Sequence, residues 1–246
     1  MRQWPNDPTI AHLVLVDHGS VPTADDLTRA VEHARRRGAR AIRTSALFPR
    51  STEAVLGAGF EAIDRLALLA VDLDTRSAHD TGVLRPAGRT VSLRPWHLRE
   101  AADVDREAFG PLWGNDARTL RDIHTATPRH RARQVRDAGS MVGFVVAGAA
   151  GDLGYLQRLA VRADRRRQGH ATTLVADALD WMCTSGLGRA LVNTGTDNLA
   201  ALELYAGFGF RRLEDVLTVA ELRLGRPVRT VDGTESVLGA PTGPLP

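Results

Sequence analysis

The stretch from Tyr155 to Ala171 limits the possible folds of this chain more than any other. Its first part, Tyr155 to Val161, is an apolar run typical of a buried strand. An arginine-rich turn follows, and residues 171–182 then carry apolar side chains at helical spacing. The first amides of a helix have no partner inside the helix, and the helix dipole adds positive charge there. A strand, a turn and a helix start in this order predict a site for a phosphate or pyrophosphate.

Glycine spacing separates the phosphate-binding loops that this arrangement could form. A P-loop requires a lysine after its second glycine, and the chain contains no lysine. A dinucleotide-binding loop requires three glycines, and this turn contains only Gly169. The turn instead reads Arg166-x-x-Gly169-x-Ala171, directly after the predicted strand. Taken alone, these six residues also fit a solvated basic turn before an ordinary helix.

Arg166-x-x-Gly169-x-Ala171 resembles the acetyl-CoA signature of the GCN5-related N-acetyltransferases, the GNAT superfamily. A second pattern, Asn198-x-x-Ala201-x-x-x-Tyr205-x-x-x-Gly209-Phe210, resembles another segment of the same family and follows at the expected distance. Two independent patterns in the right order identify the chain as a member. The resemblance implies an α/β (α+β) fold, with a mixed, mostly antiparallel, twisted sheet whose central strands splay and whose faces carry helices.

The resemblance implies acetyl-CoA as the acyl donor and assigns its contacts by position. The pantetheine arm is expected along the central strand, and the pyrophosphate on main-chain amides of the turn and helix start. Asn198 is expected to bond the pantetheine amide, although it also fits the N-cap of the helix that follows. His170 is expected to be a solvent-facing loop residue rather than a catalyst. The residues implied at the donor site are Leu159, Ala160, Val161, Arg166, Arg167, Gln168, Gly169, His170, Ala171, Thr172 and Asn198.

Tyr205 matches the family's general acid. A phenol with a pKa of about 10 can protonate a departing thiolate, although Tyr205 also fits an aromatic core residue on a short helix. The general base is not evident. Where many family members have a glutamate on the fourth strand this chain has Tyr155, and where ribosomal-protein acetyltransferases have one on the fifth strand it has Asn193. Glu107 or Asp116, acting through a water, is a further hypothesis.

The N-terminal part repeats features of the C-terminal part. Residues 38–44 resemble residues 186–193, and residues 57–60 resemble residues 207–210. The first 75 residues are therefore predicted to be a truncated copy of the C-terminal half of the family's domain. The copy lacks the donor turn, because residues 18–22 read His-Gly-Ser-Val-Pro, and Val55 stands at the position of Tyr205. We interpret it as a structural half-domain that packs against the complete domain, and a second binding site is the alternative.

This repeat and the linker composition predict four regions. Residues 1–75 are the truncated GNAT-like half-domain, and residues 76–89, with their proline and glycines, are a linker. Residues 90–225 are the complete acetyltransferase domain, and residues 226–246 are a poorly ordered tail. A homodimer is possible, because a half-domain can pack within its own chain or exchange between chains.

Composition excludes several other function classes. The formal net charge is only +3, and the arginine clusters at 35–37 and 129–136 have almost no interleaved aromatics, which argues against nucleic acid as a partner. Both clusters are predicted to be solvated helical faces. The single cysteine, Cys183, excludes an internal disulfide and a cysteine-based zinc site, and no metal is expected. The N-terminus is polar and no apolar run approaches membrane length, so we expect a cytoplasmic protein with no membrane partner.

These expectations define a function and one alternative. The expected function is acetyl-CoA-dependent N-acetylation, an acyltransferase reaction in which a primary amine attacks the thioester directly in a ternary complex. The acceptor amine is expected on a small molecule or at a peptide N-terminus. The alternative is a non-catalytic sensor that binds acyl-CoA, which the missing carboxylate favours.

Overall fold

The structure is a computed structural model that describes residues 2–5, 7–15, 21–73 and 88–225. Within these residues the strands are β1 (Arg2–Trp4), β2 (Asp7–Leu13), β3 (Ala41–Thr44), β4 (Glu61–Asp72), β5 (Val91–Ser92), β6 (Arg129–Asp137), β7 (Ser140–Ala150), β8 (Leu153–Val161), β9 (Arg189–Gly195) and β10 (Arg211–Arg223). The helices are α1 (Ala24–Arg36), α2 (Pro49–Gly57), α3 (Leu98–Trp113), α4 (Ala117–His124), α5 (His170–Thr184) and α6 (Leu199–Gly207).

All ten strands form one mixed sheet in the order β1-β2-β3-β10-β4-β9-β8-β7-β6-β5. Only the pairs β2–β3 and β8–β9 are parallel, and the other pairs are antiparallel. Side chains alternate between the two faces of a strand. On β7, Phe144 and Val146 therefore pack with α3 and α4, whereas Val145 and Ala147 pack with α5. The mixed, mostly antiparallel sheet flanked by helices confirms the expected fold class.

The turns after matching helices confirm the partial repeat. After α2 the Phe60 amide donates to Val55 O (3.3 Å), and after α6 the Phe210 amide donates to Tyr205 O (3.1 Å). The glycine before each phenylalanine has a positive φ, 90° at Gly59 and 82° at Gly209. Glycine adopts this left-handed conformation without the steric cost that a Cβ brings. The two phenylalanines consequently enter two separate cores, each about 4% exposed.

The two copies exchange their last strands. We call the described residues up to 73 the first part of the chain and residues 88–225 the second part. β10 of the second part lies between β3 and β4 of the first part. β4 of the first part lies between β9 and β10 of the second part. The strand ends are reciprocal as well. Leu73, after β4, donates its amide to Gly188 O just before β9, and Leu224, after β10, donates its amide to Arg40 O just before β3, both at 2.8 Å. The expected packing of a half-domain against a complete one is therefore a shared sheet within one chain.

The central parallel strands separate, as expected. β8 and β9 pair only from Leu153/Arg189 to Leu156/Val192. Beyond that point β8 continues to Val161 paired with β7 alone, whereas β9 continues to Gly195 paired with β4 alone. Each strand keeps its outer partner, so the two strands diverge and leave a gap between them.

A buried ion pair fixes α3 on β8 beside this gap. Asp105 is fully buried and accepts from Arg158 Nε and Nη2, both at 2.7 Å. The same carboxylate accepts from the Asn115 amide at 2.6 Å, so it also fixes the chain after α3. The face of the Arg158 guanidinium lies 3.5 Å from the centre of the Phe109 ring. The contact between α3 and β8 thus combines an ion pair, hydrogen bonds and stacking of a guanidinium on an aromatic ring.

The arginine-rich segment 129–136 corrects one expectation. It is strand β6 and not a helical face. Within β6 the side chains of Ala132 and Gln134 are buried. Arg131 Nε and Arg133 Nε lie 3.0 and 3.3 Å from the Asp177 carboxylate on α5. The other cluster, at residues 35–37, does lie exposed at the end of a helix, α1.

The predicted division of the chain stays a prediction. Pairing of β4 with β9 and β10 crosses the proposed boundary, so the sheet itself does not mark one. Most of the predicted linker and the whole predicted tail lie outside the described residues, as do residues 18–20 of the predicted decayed turn. Among the helices that are described, none is both long and apolar enough to cross a membrane.

Removing the first part should abolish folding of the second. In a variant restricted to residues 88–225, β10 would lose β3 and β4, its two sheet partners, and β9 would lose its outer partner. We expect no cooperative thermal unfolding by circular dichroism, because unpaired buried strand edges leave main-chain groups unsatisfied. Co-expression with residues 1–87 as a separate chain should restore a soluble complex. Cooperative melting of residues 88–225 alone would contradict the exchange.

Asp105→Asn should destabilise the protein far more than a matched change on the same helix. The substitution leaves the mostly buried Arg158 guanidinium without its countercharge, and we expect a loss of about 3 kcal/mol in the free energy of unfolding. Asp103→Asn removes an exposed α3 carboxylate that pairs with Arg106, and should cost under about 0.5 kcal/mol. Urea unfolding followed by fluorescence compares the two. Equal effects would mean that Asp105 does not anchor α3.

Candidate functional site

The gap between β8 and β9 exposes the main chain of two of the three donor-binding residues predicted on β8. The Arg162 amide donates to Val142 O on β7 at 2.9 Å. Main-chain polar groups alternate in direction along a strand, so those of Val161 and Leu159 point away from β7, into the gap. Ala160, in contrast, is buried against the α3 core with 2% exposure. The gap therefore presents unpaired strand groups that an extended ligand could pair with.

The start of α5 leaves its main-chain amides without a cap. Gly169 precedes the helix with φ 82° and ψ 0°, and no side chain bonds to the first turn. The first helical bond is from the Thr173 amide to Gly169 O at 3.0 Å, so the amides of His170, Ala171 and Thr172 have no partner within the helix. By comparison, Thr23, Asp116 and Asn198 cap their helices with side chains. The starts of α2 and α3 also lack a side-chain cap, so what distinguishes α5 is its position directly after the turn that follows β8.

Two exposed arginines flank this helix start. Arg166 Nη2 donates to Ala108 O near the end of α3 at 3.2 Å, which ties the turn to α3. Arg167 adopts a positive φ of 62°, so the turn reverses direction immediately before Gln168 and Gly169. The Gln168 side chain reaches back to Asp164 O at 3.5 Å. The turn thus carries two exposed arginines three and four residues before His170, the first residue of α5.

His170 differs from the expectation of a solvent-facing loop residue. It is the first residue of α5 and is partly buried. Its Nδ1 is closed off from solvent and has no hydrogen-bond partner among the described residues. The helix start therefore includes a partly enclosed imidazole rather than an exposed one.

Asn198 serves as the N-cap that one of its two interpretations predicted. Its Oδ1 accepts from the Ala201 amide at 3.2 Å, and its Nδ2 donates to Thr194 Oγ1 at 3.1 Å. This links the start of α6 to the end of β9, on the far side of the gap. A contact to pantetheine stays a prediction.

Tyr205 lies in the core on α6. It is 5% exposed, and its ring meets the Phe210 ring edge-on at 5.6 Å. Leu159 and Val161 of β8 pack against the same core cluster. Burial raises the pKa of the Tyr205 phenol above its ordinary value, so the hydroxyl keeps its proton. The position satisfies the core interpretation and leaves the acid role a prediction.

The carboxylates suggested as bases already have structural partners. Glu107 accepts from Arg162 Nη1 at 2.7 Å and from the Ala163 amide at 2.9 Å. Asp116 caps α4 by accepting from the Thr119 amide at 2.7 Å. Tyr155 is partly buried on β8 and Asn193 is exposed on β9. Both oxygens of Glu107 are thus engaged, whereas Asp116 is bonded through Oδ1.

Sequence reasoning missed Gln157 and Arg158, which lie on β8 where its pairing with β9 ends. Val146 pairs with Arg158 and Ala147 pairs with Leu156, so Gln157 is an extra residue that makes a β-bulge in β8. The bulge lies where β8 leaves β9, immediately before Arg158. An arginine inside an apolar strand was the available signal, because a buried guanidinium requires a carboxylate partner. No group of three or more metal-ligating side chains occurs in the described part of the chain.

Comparisons with known proteins agree with this geometry. The model of the acetyltransferase (GNAT) family matches residues 96–210, and a comparison with curated proteins gave no match. A tandem GNAT protein from the clavulanic acid biosynthesis pathway has a TM-score of 0.60 and 14% identity, covering 81% of this chain and 69% of that protein. A GCN5-related N-acetyltransferase from Kribbella flavida has a TM-score of 0.59 and 19% identity, over 85% of this chain and 80% of its own.

A further GCN5-related N-acetyltransferase, from Sphaerobacter thermophilus, has a TM-score of 0.59 and 17% identity, covering 82% of this chain and 67% of that protein. At these identities the solved structures establish the fold alone. The family match covers the region that contains the gap, the turn and the uncapped helix start. The family model therefore assigns residues 96–210 of this chain to the acetyltransferase (GNAT) family.

Proposed function

We propose that this protein transfers the acetyl group of acetyl-CoA to a primary amine of a small molecule or a peptide N-terminus. The uncapped start of α5, between the β8–β9 gap and two exposed arginines, is the observation that carries this proposal. Family members in general use acetyl-CoA as acyl donor, which supports the donor but does not identify the acceptor. A cytoplasmic location and a homodimer stay predictions.

The residues present fit the donor chemically. Free amides of the α5 start and the guanidinium groups of Arg166 and Arg167 would hold the pyrophosphate. The gap-facing main chain of Leu159 and Val161 would pair with the amides of the pantetheine arm, as an additional strand would. Acetyl-CoA supplies the acetyl group as a thioester. This division places the charged end at the turn and the reactive end deeper in the gap.

Tyr205 would act on the departing sulfur chiefly as a hydrogen-bond donor. A thiol has an ordinary pKa of about 8.5 and a phenol one of about 10, and burial raises the phenol further. Complete proton transfer from Tyr205 to the thiolate is therefore uphill. A hydrogen bond that strengthens as negative charge develops needs no such transfer and still stabilises the transition state.

The acceptor amine has no evident carboxylate base. Glu107 and Asp116 are held by Arg162 and by α4, and the family's glutamate positions carry Tyr155 and Asn193. The amine would then arrive already neutral, or lose its proton through water. Either route predicts a rate that rises with pH through the amine's own pKa, because only the neutral form attacks.

The missing base also supports a second candidate, a non-catalytic protein that senses acyl-CoA. Incubation with acetyl-CoA and a panel of amines, with thiol release followed between about pH 7 and pH 9, separates the two. Turnover on any amine supports the enzyme. Binding of acetyl-CoA without turnover across the panel supports the sensor.

Charge reversal at the turn should weaken donor binding. The double variant Arg166→Glu, Arg167→Glu is expected to lower the affinity for CoA at least about tenfold by calorimetry, since each charge-assisted bond contributes about 1.5–3 kcal/mol. Some binding should remain, because the α5 amides are unchanged. The matched control Arg35→Glu, Arg36→Glu alters two exposed arginines on α1 and should leave the affinity unchanged. Equal affinities in all three proteins would contradict the proposed pyrophosphate site.

Tyr205→Phe should separate the two interpretations of this residue. The change removes only a hydroxyl from a buried ring, so the thermal midpoint should stay nearly constant. If the hydroxyl stabilises the departing sulfur, kcat should fall about tenfold or more while the affinity for CoA is unchanged. Because the phenol stays protonated below about pH 10, the ratio of wild-type to variant kcat should not change between pH 7 and pH 9. Full activity in the variant would leave Tyr205 a core residue only.

A further inference from the structure

A cavity of about 630 Å³ lies away from the acyl-donor turn. Both parts of the chain line it: β1, β2 and β3 from residues 2–73, and the ends of α3 and β10 from residues 88–225. Its apolar walls include Trp4, Ile10 and Leu112. The volume lies within the range of about 300–1,000 Å³ that is usual for small-molecule sites. None of its lining residues belongs to the donor site described above.

The cavity holds one more positive charge than negative. Arg40 pairs with Asp7 at 2.8 Å. Arg43 and Arg223 share the single carboxylate of Glu221, at 2.5 Å and 4.0 Å respectively. Three guanidinium groups therefore face two carboxylates. The excess charge rests on Arg223, whose side chain is 88% exposed at the rim and only loosely paired.

Arg43 is a rigid, incompletely satisfied part of the wall. It is 4% exposed, and its Nε and Nη2 both donate to the same Glu221 oxygen, at 2.9 and 2.5 Å. Its Nη1 has no hydrogen-bond partner among the described residues. The guanidinium carbon lies 4.6 Å from the Trp4 ring centre and 5.5 Å from that of Trp113, so two indoles hold the group in place. A buried donor without a partner is costly, and a ligand or a water in the cavity would satisfy it.

We propose that this cavity binds a small organic monocarboxylate with an apolar body. One carboxylate would neutralise the single excess charge, pairing with Arg223 and approaching Arg43, and guanidinium groups match carboxylates in planar geometry. The apolar body would contact Trp4, Ile10 and Leu112. A cation would add to the excess positive charge, and a phosphate dianion would exceed it and find no apolar counterpart.

Two sources of the carboxylate fit the cavity, one independent of acetyl transfer and one that rests on the proposed function. One is a separate ligand that binds beside the catalytic region. The other is the distal end of the amine acceptor, because the cavity reaches the end of α3, whose Ala108 carbonyl also contacts Arg166 of the donor turn. From β9 to β3 the sheet order gives three strand steps, or about 15 Å, so such an acceptor would be elongated.

Binding of 3-phenylpropanoate to the full chain tests the proposal, with 3-phenylpropanamide as the uncharged counterpart. Ligand-observed NMR should give a dissociation constant in the millimolar range or below for the acid and at least about tenfold weaker binding for the amide. Arg223→Glu should weaken binding of the acid at least about tenfold, because it removes the excess charge. Arg211→Glu makes the same charge change at the exposed opposite end of β10 and should have no effect. Leu112→Trp, which fills the cavity at its rim, should also weaken binding.

The two sources are separated by turnover. If 6-aminohexanoate is acetylated with a KM that rises in Arg223→Glu and not in Arg211→Glu, the carboxylate belongs to the acceptor. If the variant leaves turnover of every amine unchanged while 3-phenylpropanoate still loses affinity, the ligand is separate. Absence of binding by the acid up to about 10 mM, equal binding of the amide, or unchanged affinity in both Arg223→Glu and Leu112→Trp would overturn the proposal.

Discussion

The reciprocal exchange of last strands is the constraint on which the rest of this structure depends. β4 lies between β9 and β10, and β10 lies between β3 and β4, so each part of the chain completes the sheet of the other. Every main-chain group of a buried strand must find a hydrogen-bond partner. The first part therefore supplies strands that β9 and β10 of the second part need as partners.

This exchange also shapes the proposed donor site. Because β4 holds the outer edge of β9, and β7 holds the outer edge of β8, the two central strands can separate after Leu156 and Val192 without losing their places in the sheet. The gap then presents unpaired main-chain groups of β8 beside the uncapped start of α5. The Asp105–Arg158 ion pair fixes α3 along the same stretch of β8. The ion pair that stabilises the fold and the proposed donor site therefore both lie where β8 and β9 stop pairing.

Local patterns in the sequence predicted much of this arrangement. The strand, the turn and the helix from Tyr155 onward follow from side-chain periodicity and one glycine, which are local properties. The exchange could not be predicted, because strand order depends on contacts between residues that are distant in sequence. The error at residues 129–136 had an available signal. Arg129, Arg131 and Arg133 alternate with other residues, and this period of two indicates a strand. The high charge of the segment instead favoured a solvated helical face.

The proposed roles of individual residues divide along the same line. Tyr205 and Asn198 matched a family pattern, yet the structure gives each a structural role, in the core and at a helix cap, that the pattern alone could not distinguish from a catalytic one. Glu107 was suggested by its position, and its pairing with Arg162 became evident only from the folded arrangement of α3 over β8. Sequence patterns thus indicate where candidate side chains lie, but not which of them are already engaged in structural hydrogen bonds or core packing.

The central claim is that main-chain amides at the start of α5 hold the pyrophosphate of coenzyme A. The most direct measurement is an amide NMR titration of the 26.6 kDa chain, labelled with ¹⁵N, against CoA. The account predicts that the largest shifts fall on the amides from Arg167 to Thr172, with smaller ones at Leu159 and Val161. Shifts confined to other parts of the chain, or no shifts at all, would contradict it.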